Sequence, residues 1–563
     1  MIFFCVDFLL PIHQQSDLFG KVTLQKNMSF NIHRDISTEV DSAIERVRRV
    51  WFSNENIPVS EKQHQVSGMR WAIEKEKGVF FDKETKSYIE QKKCGLICDE
   101  MGLGKTTVIL GTIVANHRRG MTTLVVVPPA LLNQWCEKVY EWLGVEPYKF
   151  HGYLAKVTKK NLIMKLEDQP IVITTYSMIS TRSKKKKNKH AKKWHSILWD
   201  IEWSRVVFDE AHHMRNGKSN KHLGSKKIKA EIKWLLTGTP IQNKNNDLYC
   251  QMQIMGIYEE FEAIEKTEDK IKFLTPYVKL RTKKSIGLKL PELTIETINI
   301  TTYDTPQEKI ILSYIHSLLN FTNVVVDKNN VENLILTYLN TDSPLPILTR
   351  ARQACVYPGI IKSCLDDWHT KGIIPHNINR LHVNSHTKIT KIAQKIQEEK
   401  KEGNKVLVFC HYVEEMELLS SILRGNNLDV KVLNGKTKPK DRREIPKMEP
   451  DALLVQIQSC CEGLNLQQFS TVIFTSPHWN PAVEDQAVAR AHRIGQTKPV
   501  KVFRYICKLE NGTTTLDEYC MAVQDAKREL MKEFKDKSID NMEIVQEEKD
   551  KSIEETIIED VPN

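Results

Sequence analysis

The sequence predicts an α/β fold with two parallel sheets that follow each other along the chain. Short apolar runs rich in β-branched residues alternate with segments of helical pattern from about 62 to 285, and again from about 386 to 510. This alternation is typical of parallel sheets, because a helix has to lead the chain back between neighbouring strands. A mixed segment of helical pattern separates the two stretches, so we expect two lobes rather than one large sheet.

The expected strands are short and apolar. They are CGLIC, TLVVV, IVITTY and RVVFDE in the first stretch, and KVLVFC, VKVLN, ALLVQI, TVIFTS and KVFRYI in the second. The expected domains are an N-terminal flank at 1–50, a first lobe at 51–285, a helical insert at 286–385, a second lobe at 386–530 and a C-terminal tail at 531–563. From Ser538 onward the tail has nine acidic residues, two lysines and no core pattern, which predicts disorder.

Composition restricts the class of protein. The 563 residues carry a formal charge of +11 and are 40% apolar and 27% charged, which excludes collagen-like, mostly disordered and membrane-embedded chains. The apolar start MIFFCVDFLLP has no basic lead-in and no cleavage site, so we expect no secretion signal, and Met28 is an alternative initiator. Twelve scattered cysteines without a CxxC pair indicate a reducing environment. The basic surplus favours a polyanionic partner.

A glycine-rich turn at 99–107 follows the expected strand CGLIC. Between a strand and a helix, such a turn lets backbone N–H groups close around phosphate oxygens. Lys105 would reach the β- and γ-phosphates, and the hydroxyl of Thr106 would hold Mg²⁺. The strict pattern GxxxxGK[ST] has glycine where this chain has Asp99, so the turn alone does not establish a phosphate site. The expected nucleotide-binding residues here are Asp99, Glu100, Met101, Gly102, Leu103, Gly104, Lys105, Thr106 and Thr107.

About a hundred residues later, the strand RVVFDE ends in two adjacent carboxylates. Asp209 would bind Mg²⁺ directly or through a metal-bound water, and Glu210 would orient and deprotonate the attacking water. Asp-Glu pairs also occur at the ends of ordinary strands, but a phosphate loop upstream favours a hydrolytic site. ATP and Mg²⁺ are therefore the expected cofactors.

Motifs in order along roughly 62–530 resemble those of the Swi/Snf family of helicase-like ATPases, within helicase superfamily two. DEMGLGKTT is similar to the family's first motif, and VVVPPALLNQW, VITTYSMI, VFDEAHH and LLTGTPIQN are similar to those that follow. KVLVFCHY, VLNGKT and EGLNLQ resemble motifs of the second lobe. The most specific stretch is PHWNPAVEDQAVARAHRIGQ at 477–496.

The resemblance implies two RecA-like lobes with ATP bound between them. It implies that Gln65 in KQHQVSGMRW reads the adenine, and that Arg490 and Arg493 reach the γ-phosphate from the second lobe. A planar, permanently charged guanidinium suits the charge on a transferred phosphoryl group better than lysine does. Because these arginines lie on the other lobe, hydrolysis would depend on closure of the cleft. The expected catalytic residues are Lys105, Glu210, Arg490 and Arg493, and the expected metal-binding residues are Thr106 and Asp209.

The activity that the resemblance implies is a DNA-stimulated ATPase that moves along duplex DNA and remodels protein–DNA complexes in transcription, replication or repair. Its partner would be double-stranded DNA bound through the backbone without sequence preference, with protein partners or nucleosomes besides, no membrane partner and a monomeric motor. Frequent Lys, Asn and Ile favour an AT-rich genome, such as that of a large DNA virus. The expected location is the nucleus, or a cytoplasmic replication site for a viral protein. Two alternatives stay open: a DEAH-box-like RNA helicase, and an ATP-gated nucleic-acid-binding scaffold with weak hydrolysis.

Three further features bear on nucleic-acid binding. Ser459-Cys460-Cys461 replaces the family's Ala-Gly-Gly, and these side chains restrict the backbone of a loop expected to contact nucleic acid or nucleotide. The eight basic residues of 182–193 form a solvated loop, a nuclear-localisation patch or a phosphate-contacting loop. We expect contacts with the DNA backbone around His411–Tyr412, among other loops, and we expect Trp479 to pack within its lobe rather than stack on a base.

Overall fold

The computed structural model describes residues 29–55, 57, 59–82, 87–181, 195–240, 245–319, 326, 344–372, 374–379, 385–460, 464–510 and 512–529. These residues form two parallel sheets with helices and one separate antiparallel hairpin, β1 (Val79–Asp82) with β2 (Ser87–Glu90). The predicted α/β fold with two parallel-sheet lobes is confirmed. The basic run at 182–193, residues 241–243 of LLTGTPIQN, Cys461 and the acidic tail lie outside the described residues.

The first sheet has seven parallel strands in the order β5-β6-β4-β7-β8-β3-β9. The strands are β3 (Cys94–Ile97), β4 (Thr123–Val127), β5 (Tyr148–Phe150), β6 (Ile171–Thr175), β7 (Glu202–Asp209), β8 (Lys229–Leu236) and β9 (Val278–Lys279). Successive residues of a strand fill different cores. In β4, Leu124 and Val126 face one apolar cluster, and Val125 and Val127 face another on the opposite side of the sheet. This is why the central strands are continuous apolar runs.

Ten helices belong to the part of the chain described up to β9. They are α1 (Ser29–Val47), α2 (Gln63–Glu76), α3 (Lys105–Ala115), α4 (Leu132–Leu143), α5 (Lys159–Asp168), α6 (Tyr176–Ile179), α7 (Asn220–Ser225), α8 (Asn245–Met255), α9 (Tyr258–Glu262) and α10 (Thr267–Leu274). Helix α1 comes from the predicted N-terminal flank, and its Val40, Ile44 and Val47 are buried in the same cluster as Val125.

The second sheet has six parallel strands in the order β10-β15-β14-β11-β13-β12. They are β10 (Leu293–Ile300), β11 (Val406–Cys410), β12 (Val430–Leu433), β13 (Ala452–Gln456), β14 (Thr471–Phe474) and β15 (Val500–Cys507). The helices that precede or cover this sheet are α11 (Pro306–Ser317), α12 (Pro344–Val356), α13 (Lys362–Thr370), α14 (His376–Asn379), α15 (Thr387–Lys401), α16 (Val413–Gly425), α17 (Pro439–Lys447), α18 (Ile457–Cys460) and α19 (Pro481–Ala491). Residues 516–529 form a further helix.

Strand β10 differs from the expected helical insert at 286–385. It pairs in parallel with β15 along its whole length and forms an edge of the second sheet. Ile298 and Ile300 pack on the core of the lobe, whereas Leu293 and Ile295 on the other face are exposed. One face packed on the core and one face open to solvent are typical of a strand at the edge of a sheet. The domain boundaries themselves stay predictions. Among the described helices, none is long and apolar enough to cross a membrane.

Candidate nucleotide site

Three neighbouring strands bring the candidate residues to one edge of the first sheet. Strands β7, β8 and β3 are adjacent and parallel, so their carboxyl ends meet. Asp99 comes two residues after β3, Asp209 ends β7, and Thr237 follows β8. Ligands of open parallel sheets bind at these ends, where the loops leave the strands.

The loop after β3 opens the N-terminus of α3 toward this edge. Gly102 has a φ of 91° and Gly104, the N-cap of α3, a φ of 90°, which are values that other residues rarely adopt. Lys105 begins the helix, and its Nζ donates a hydrogen bond of 2.7 Å to the backbone carbonyl of Asp99. Thr106 follows at a half-buried position and Thr107 is buried. The loop thus has the form of a phosphate-binding turn.

The carboxylate of Asp99 is engaged within the first lobe. Arg281, two residues after β9, donates to it through Nε at 2.9 Å and through Nη2, and both side chains are almost fully buried. Glu100 is also engaged, because its carboxylate accepts a hydrogen bond from the backbone N–H of Lys283 at 2.8 Å. These two carboxylates therefore fix the loop to the segment that leads out of the lobe, and the loop presents its backbone to a ligand.

Gln65 on α2 lies directly against the phosphate loop. Its Nε2 donates to the carbonyl of Leu103 at 3.2 Å, and Leu103 itself is fully buried. A Cβ placed on Gly104 would come within 2.3 Å of the same Nε2, so the glycine makes room for the amide. Met101 on the other side packs against Gly238 of the TGTP loop.

Both oxygens of the Asp209 carboxylate accept hydrogen bonds. The indole N–H of Trp135 on α4 donates to Oδ2 at 2.7 Å, and the backbone N–H of Glu210 donates to Oδ1 at 2.9 Å. Tyr176 donates to the backbone carbonyl of Asp209 at 2.7 Å. Burial and the adjacent charge of Glu210 raise the pKa of Asp209 to about 6.

Glu210 is held as an ionised carboxylate in an unusual backbone conformation. Its φ is 50° and its ψ 54°, a left-handed conformation that is uncommon for glutamate and common at functional sites. Its Oε2 lies 3.2 Å from Nδ1 of His212, which also lies 3.4 Å from the hydroxyl of Thr237. Burial alone would raise the pKa of Glu210, but His212, Lys105 and Arg490 together lower it to about 2. The ionised form is the one that a general base requires.

The two arginines of the second lobe face the site across the cleft. Arg490 is near the end of α19, and its charge is one of those that lower the pKa of Glu210. Arg493 lies beside the phosphate loop, with its Cβ 3.9 Å from a Cβ placed on Gly102. Among the described residues, the buried Nε atoms of Arg490 and Arg493 have no hydrogen-bond partner. Burial, followed by the charge of Arg490, lowers the pKa of Arg493.

These residues suit a nucleoside triphosphate with a divalent cation. The buried Nε atoms of Arg490 and Arg493 have no partner among the described residues, and a triphosphate would supply acceptors for them beside Lys105. Each oxygen of Asp209 accepts one hydrogen bond and keeps a lone pair, so the carboxylate together with the hydroxyl of Thr106 would hold Mg²⁺.

The sequence did not single out three residues of the site. Arg281 follows a two-residue strand, and nothing in its neighbourhood distinguishes it from other basic residues. Trp135 belongs to the motif VVVPPALLNQW, but no role followed from that motif. Lys138, one helical turn after Trp135, has a pKa that burial lowers, with Asp209 raising it and Arg493 lowering it. The sequence held one signal for Lys138: its spacing of three residues from Trp135 places both on the same face of a helix.

Two expectations for nucleic-acid contacts can be compared with the second lobe. The side chain of His411 points inward: it is 5% exposed, its Nε2 lies 3.0 Å from the carbonyl of Ser476, and its ring stacks on His478. Trp479 is half-buried and packs within the lobe in an edge-to-face contact with Tyr519, as expected, and its role stays a prediction.

Comparison with family models decides the class of this chain. Residues 64–360 match the SNF2-related domain and residues 387–495 match the helicase conserved C-terminal domain. The chain belongs to the SNF2-related family. The predicted family and the predicted enzyme class, a helicase-like ATP hydrolase, are confirmed.

Relatives of this SNF2-related chain include viral and cellular proteins. A probable global transactivator of Orgyia pseudotsugata multicapsid polyhedrosis virus is 24% identical over 86% of this chain and 93% of the relative. The transcription regulatory protein SNF2 of Saccharomyces cerevisiae is 25% identical over 79% of this chain, and the DNA excision repair protein ERCC-6-like of Danio rerio is 24% identical over 74%. The matches span only 26% and 33% of these two cellular relatives.

Solved structures that resemble this SNF2-related chain include the Sulfolobus solfataricus SWI2/SNF2 ATPase core in complex with dsDNA. It is 22% identical, covers 80% of this chain and 89% of the other, and has a TM-score of 0.35.

Proposed function

We propose that this chain is an ATP-dependent motor that moves along duplex DNA and remodels protein–DNA complexes. The observation that carries the proposal is the position of Arg490 and Arg493 of the second lobe opposite the phosphate loop and Glu210 of the first. Hydrolysis would require both lobes to close on the nucleotide, and its completion would release them. Repeated closure and opening is the elementary step of a translocating motor.

Each residue of the site has a role in this proposal. Lys105 and the loop glycines bind the phosphates, and Gln65 binds the adenine. Thr106 and Asp209 hold Mg²⁺, which neutralises charge on the phosphates when bound. The remaining roles belong to Glu210, which accepts the proton of the attacking water, and to Arg490 and Arg493, which stabilise the charge on the transferred phosphoryl group.

Duplex DNA is the proposed substrate for two reasons. The formal charge of +11 suits a polyanion bound through its backbone. The relatives named above include a transcription regulator and an excision repair protein, which are proteins of DNA metabolism by their names. Action as a monomer, with nucleosomes or other proteins as partners, belongs to the same proposal. Because relatives are both viral and cellular, the proposed location is the nucleus or a viral replication site.

Steady-state ATPase measurements test the proposal. Wild type and Lys105→Ala would be compared without nucleic acid and with duplex DNA, single-stranded DNA or RNA. Stimulation by duplex DNA that is lost in Lys105→Ala supports the motor. Stimulation by RNA alone would replace it with the RNA helicase alternative. A wild type that matches Lys105→Ala under every condition would favour the scaffold.

A further inference from the structure

We propose that Trp135 is a positioning residue for the metal-binding carboxylate of Asp209. The inference rests on the proposed function, since it concerns the Mg²⁺ that Asp209 would hold. It assigns to α4 a part in the nucleotide site that its sequence did not indicate.

The hydrogen-bond geometry at Asp209 carries the inference. Trp135 binds Oδ2 at 2.7 Å and the N–H of Glu210 binds Oδ1 at 2.9 Å. A carboxylate oxygen accepts two hydrogen bonds or metal contacts, so each oxygen retains one free position. With one donor on each oxygen, the carboxylate cannot rotate about its own axis without breaking a bond. The remaining lone pairs therefore point in fixed directions.

The indole is itself held firmly. Trp135 is 2% exposed and packs in the cluster that contains Val125, Val127 and Val139. The strand β4 that supplies two of these valines is the direct neighbour of β7, which ends at Asp209. The donor therefore belongs to the rigid core of the first lobe rather than to a loop.

Other buried tryptophans of the same lobe provide the comparison. A buried indole N–H needs an acceptor, and a backbone carbonyl is sufficient. Trp203 donates to the carbonyl of Leu198 at 3.1 Å, and Trp51 donates to that of Trp142 at 2.9 Å. Trp234 donates to the carboxylate of Glu76 at 2.8 Å, but that carboxylate is ion-paired with Arg205 in the core. Trp135 instead uses the carboxylate that would hold the metal, so its N–H acts on the site as well as on packing.

Binding of a fluorescent ADP analogue to the full chain tests the inference. Affinity would be measured with Mg²⁺ and with EDTA for wild type, Trp135→Phe and the control Trp203→Phe, which removes an equally buried indole N–H away from the carboxylates. Mg²⁺ should increase the affinity of wild type for the analogue, and we expect this increase to be about tenfold smaller in Trp135→Phe. The reason is that hydrogen-bond partners of metal ligands contribute about 10–100-fold to metal affinity. Its affinity in EDTA should stay within about twofold of wild type.

Three other outcomes would contradict either the positioning role of Trp135 or the proposed function. Equal tightening by Mg²⁺ in Trp135→Phe and wild type would overturn the positioning role. An equal loss in Mg²⁺ and in EDTA would also overturn it, because the residue would then act on the fold of the site alone. A wild type that binds no nucleotide in either condition would overturn the proposed function instead.

A second measurement needs no variant. The chain has ten tryptophans, each with one indole N–H resonance in a nitrogen-labelled sample. Addition of Mn²⁺ with ADP should broaden one of these resonances far more than the others, since paramagnetic broadening falls steeply with distance. Uniform broadening of all ten, or none, would contradict the contact between Trp135 and a metal-binding Asp209.

Discussion

Arg281 binds both carboxylate oxygens of Asp99, although the two residues are far apart in the sequence. Arg281 follows the last strand of the first sheet, and Asp99 begins the phosphate loop. The pair thus connects the exit of the first lobe with the start of its nucleotide site. The carboxylate is fully buried and the guanidinium is 4% exposed.

Asp99→Ala should destabilise the first lobe by about 3–5 kcal/mol, because it leaves the guanidinium of Arg281 buried without a counter-charge. Urea unfolding measures the effect. Asp367→Ala is the matched control, since Asp367 pairs with Lys371 at 2.7 Å on an exposed helical face. That change should cost less than about 1 kcal/mol. Equal effects of the two substitutions would contradict the structural role of the buried pair.

Glu210→Gln should lower kcat by at least about 100-fold, because the amide cannot accept the proton of the attacking water. Nucleotide affinity should be retained, so the variant should accumulate bound ATP. A filter-binding assay and single-turnover hydrolysis measure the two quantities. Glu202→Gln, at the exposed start of the same strand, is the control. Turnover at the wild-type rate in Glu210→Gln would remove Glu210 from the role of base.

Arg490→Lys and Arg493→Lys should each lower kcat by about 10³-fold, with a much smaller effect on KM. Lysine keeps the charge but lacks the planar donor set that a transferred phosphoryl group requires. Arg528→Lys, which alters a surface pair with Asp485, should leave kcat unchanged. ATPase rates at saturating ATP decide the matter. If Lys at 490 and 493 supports rates within about threefold of wild type, the two arginines do not stabilise the transition state.

Gly104→Ala should weaken nucleotide binding by more than about tenfold. The added Cβ would meet Nε2 of Gln65 at 2.3 Å, in addition to the strain of a φ of 90°. Gly120→Ala separates the two effects, because Gly120 has a φ of 81° and open space around the added Cβ. Both variants should lose about 1–2 kcal/mol of unfolding free energy from the backbone strain. Only Gly104→Ala should lose affinity, as measured with a fluorescent nucleotide.

The second lobe should lose stability in mild acid because of His478. Burial, and then the charge of Arg352, lower the pKa of His478 to about 4. In the unfolded chain its pKa is about 6.5, so between pH 6.5 and 4 the unfolded state binds the extra proton. The contribution of His478 to the free energy of unfolding is therefore fully present above about pH 6.5 and is lost as pH decreases. The loss between pH 8 and pH 5 should be about 2 kcal/mol for this residue.

Urea unfolding of the full chain at pH 8 and pH 5 measures this loss for the transition of the second lobe. His478→Gln should reduce the loss, although His411, whose pKa burial and Arg352 also lower, keeps part of it. The exposed His195 serves as control, and His195→Gln should not alter the difference. An identical pH dependence of His478→Gln and wild type would contradict the prediction.

Most of the strands that the sequence predicted are buried on both faces, and the edge strand β12, predicted from VKVLN, is the exception. TLVVV at β4 and KVLVFC at β11 are continuous apolar runs, which only a central parallel strand accommodates. Strand β8 was not predicted, because Lys229, Glu231 and Lys233 interrupt its apolar residues. Strand β10 was not predicted because threonine, glutamate and asparagine interrupt its apolar residues, which a strand at the edge of a sheet tolerates at its exposed positions. Both segments form strands because the fold places them beside neighbouring strands, β7 and β3 for β8 and β15 for β10.

The site shows the same division. Lys105, Asp209 and Glu210 were predictable because they occur in contiguous motifs whose chemistry is evident from residue type. Trp135 and Arg281 act through hydrogen bonds to residues that are distant in the sequence, and neither residue type signals such a partner. That Asp99 and Glu100 serve the fold of the loop also required the three-dimensional contacts.

Strand β10 has a consequence for synthesis of the protein on the ribosome. Its first residue, Leu293, pairs with Val500, so the pairing waits for 500 − 293 = 207 further residues. At about 5–20 residues per second, translation of that interval takes roughly 10–40 s. The first lobe already has its last strand, β9, at residue 279. During this interval a folded first lobe would carry an unpaired strand whose Ile298 and Ile300, which pack on the core of the complete second lobe, are exposed. An exposed apolar strand is the kind of segment that chaperones bind.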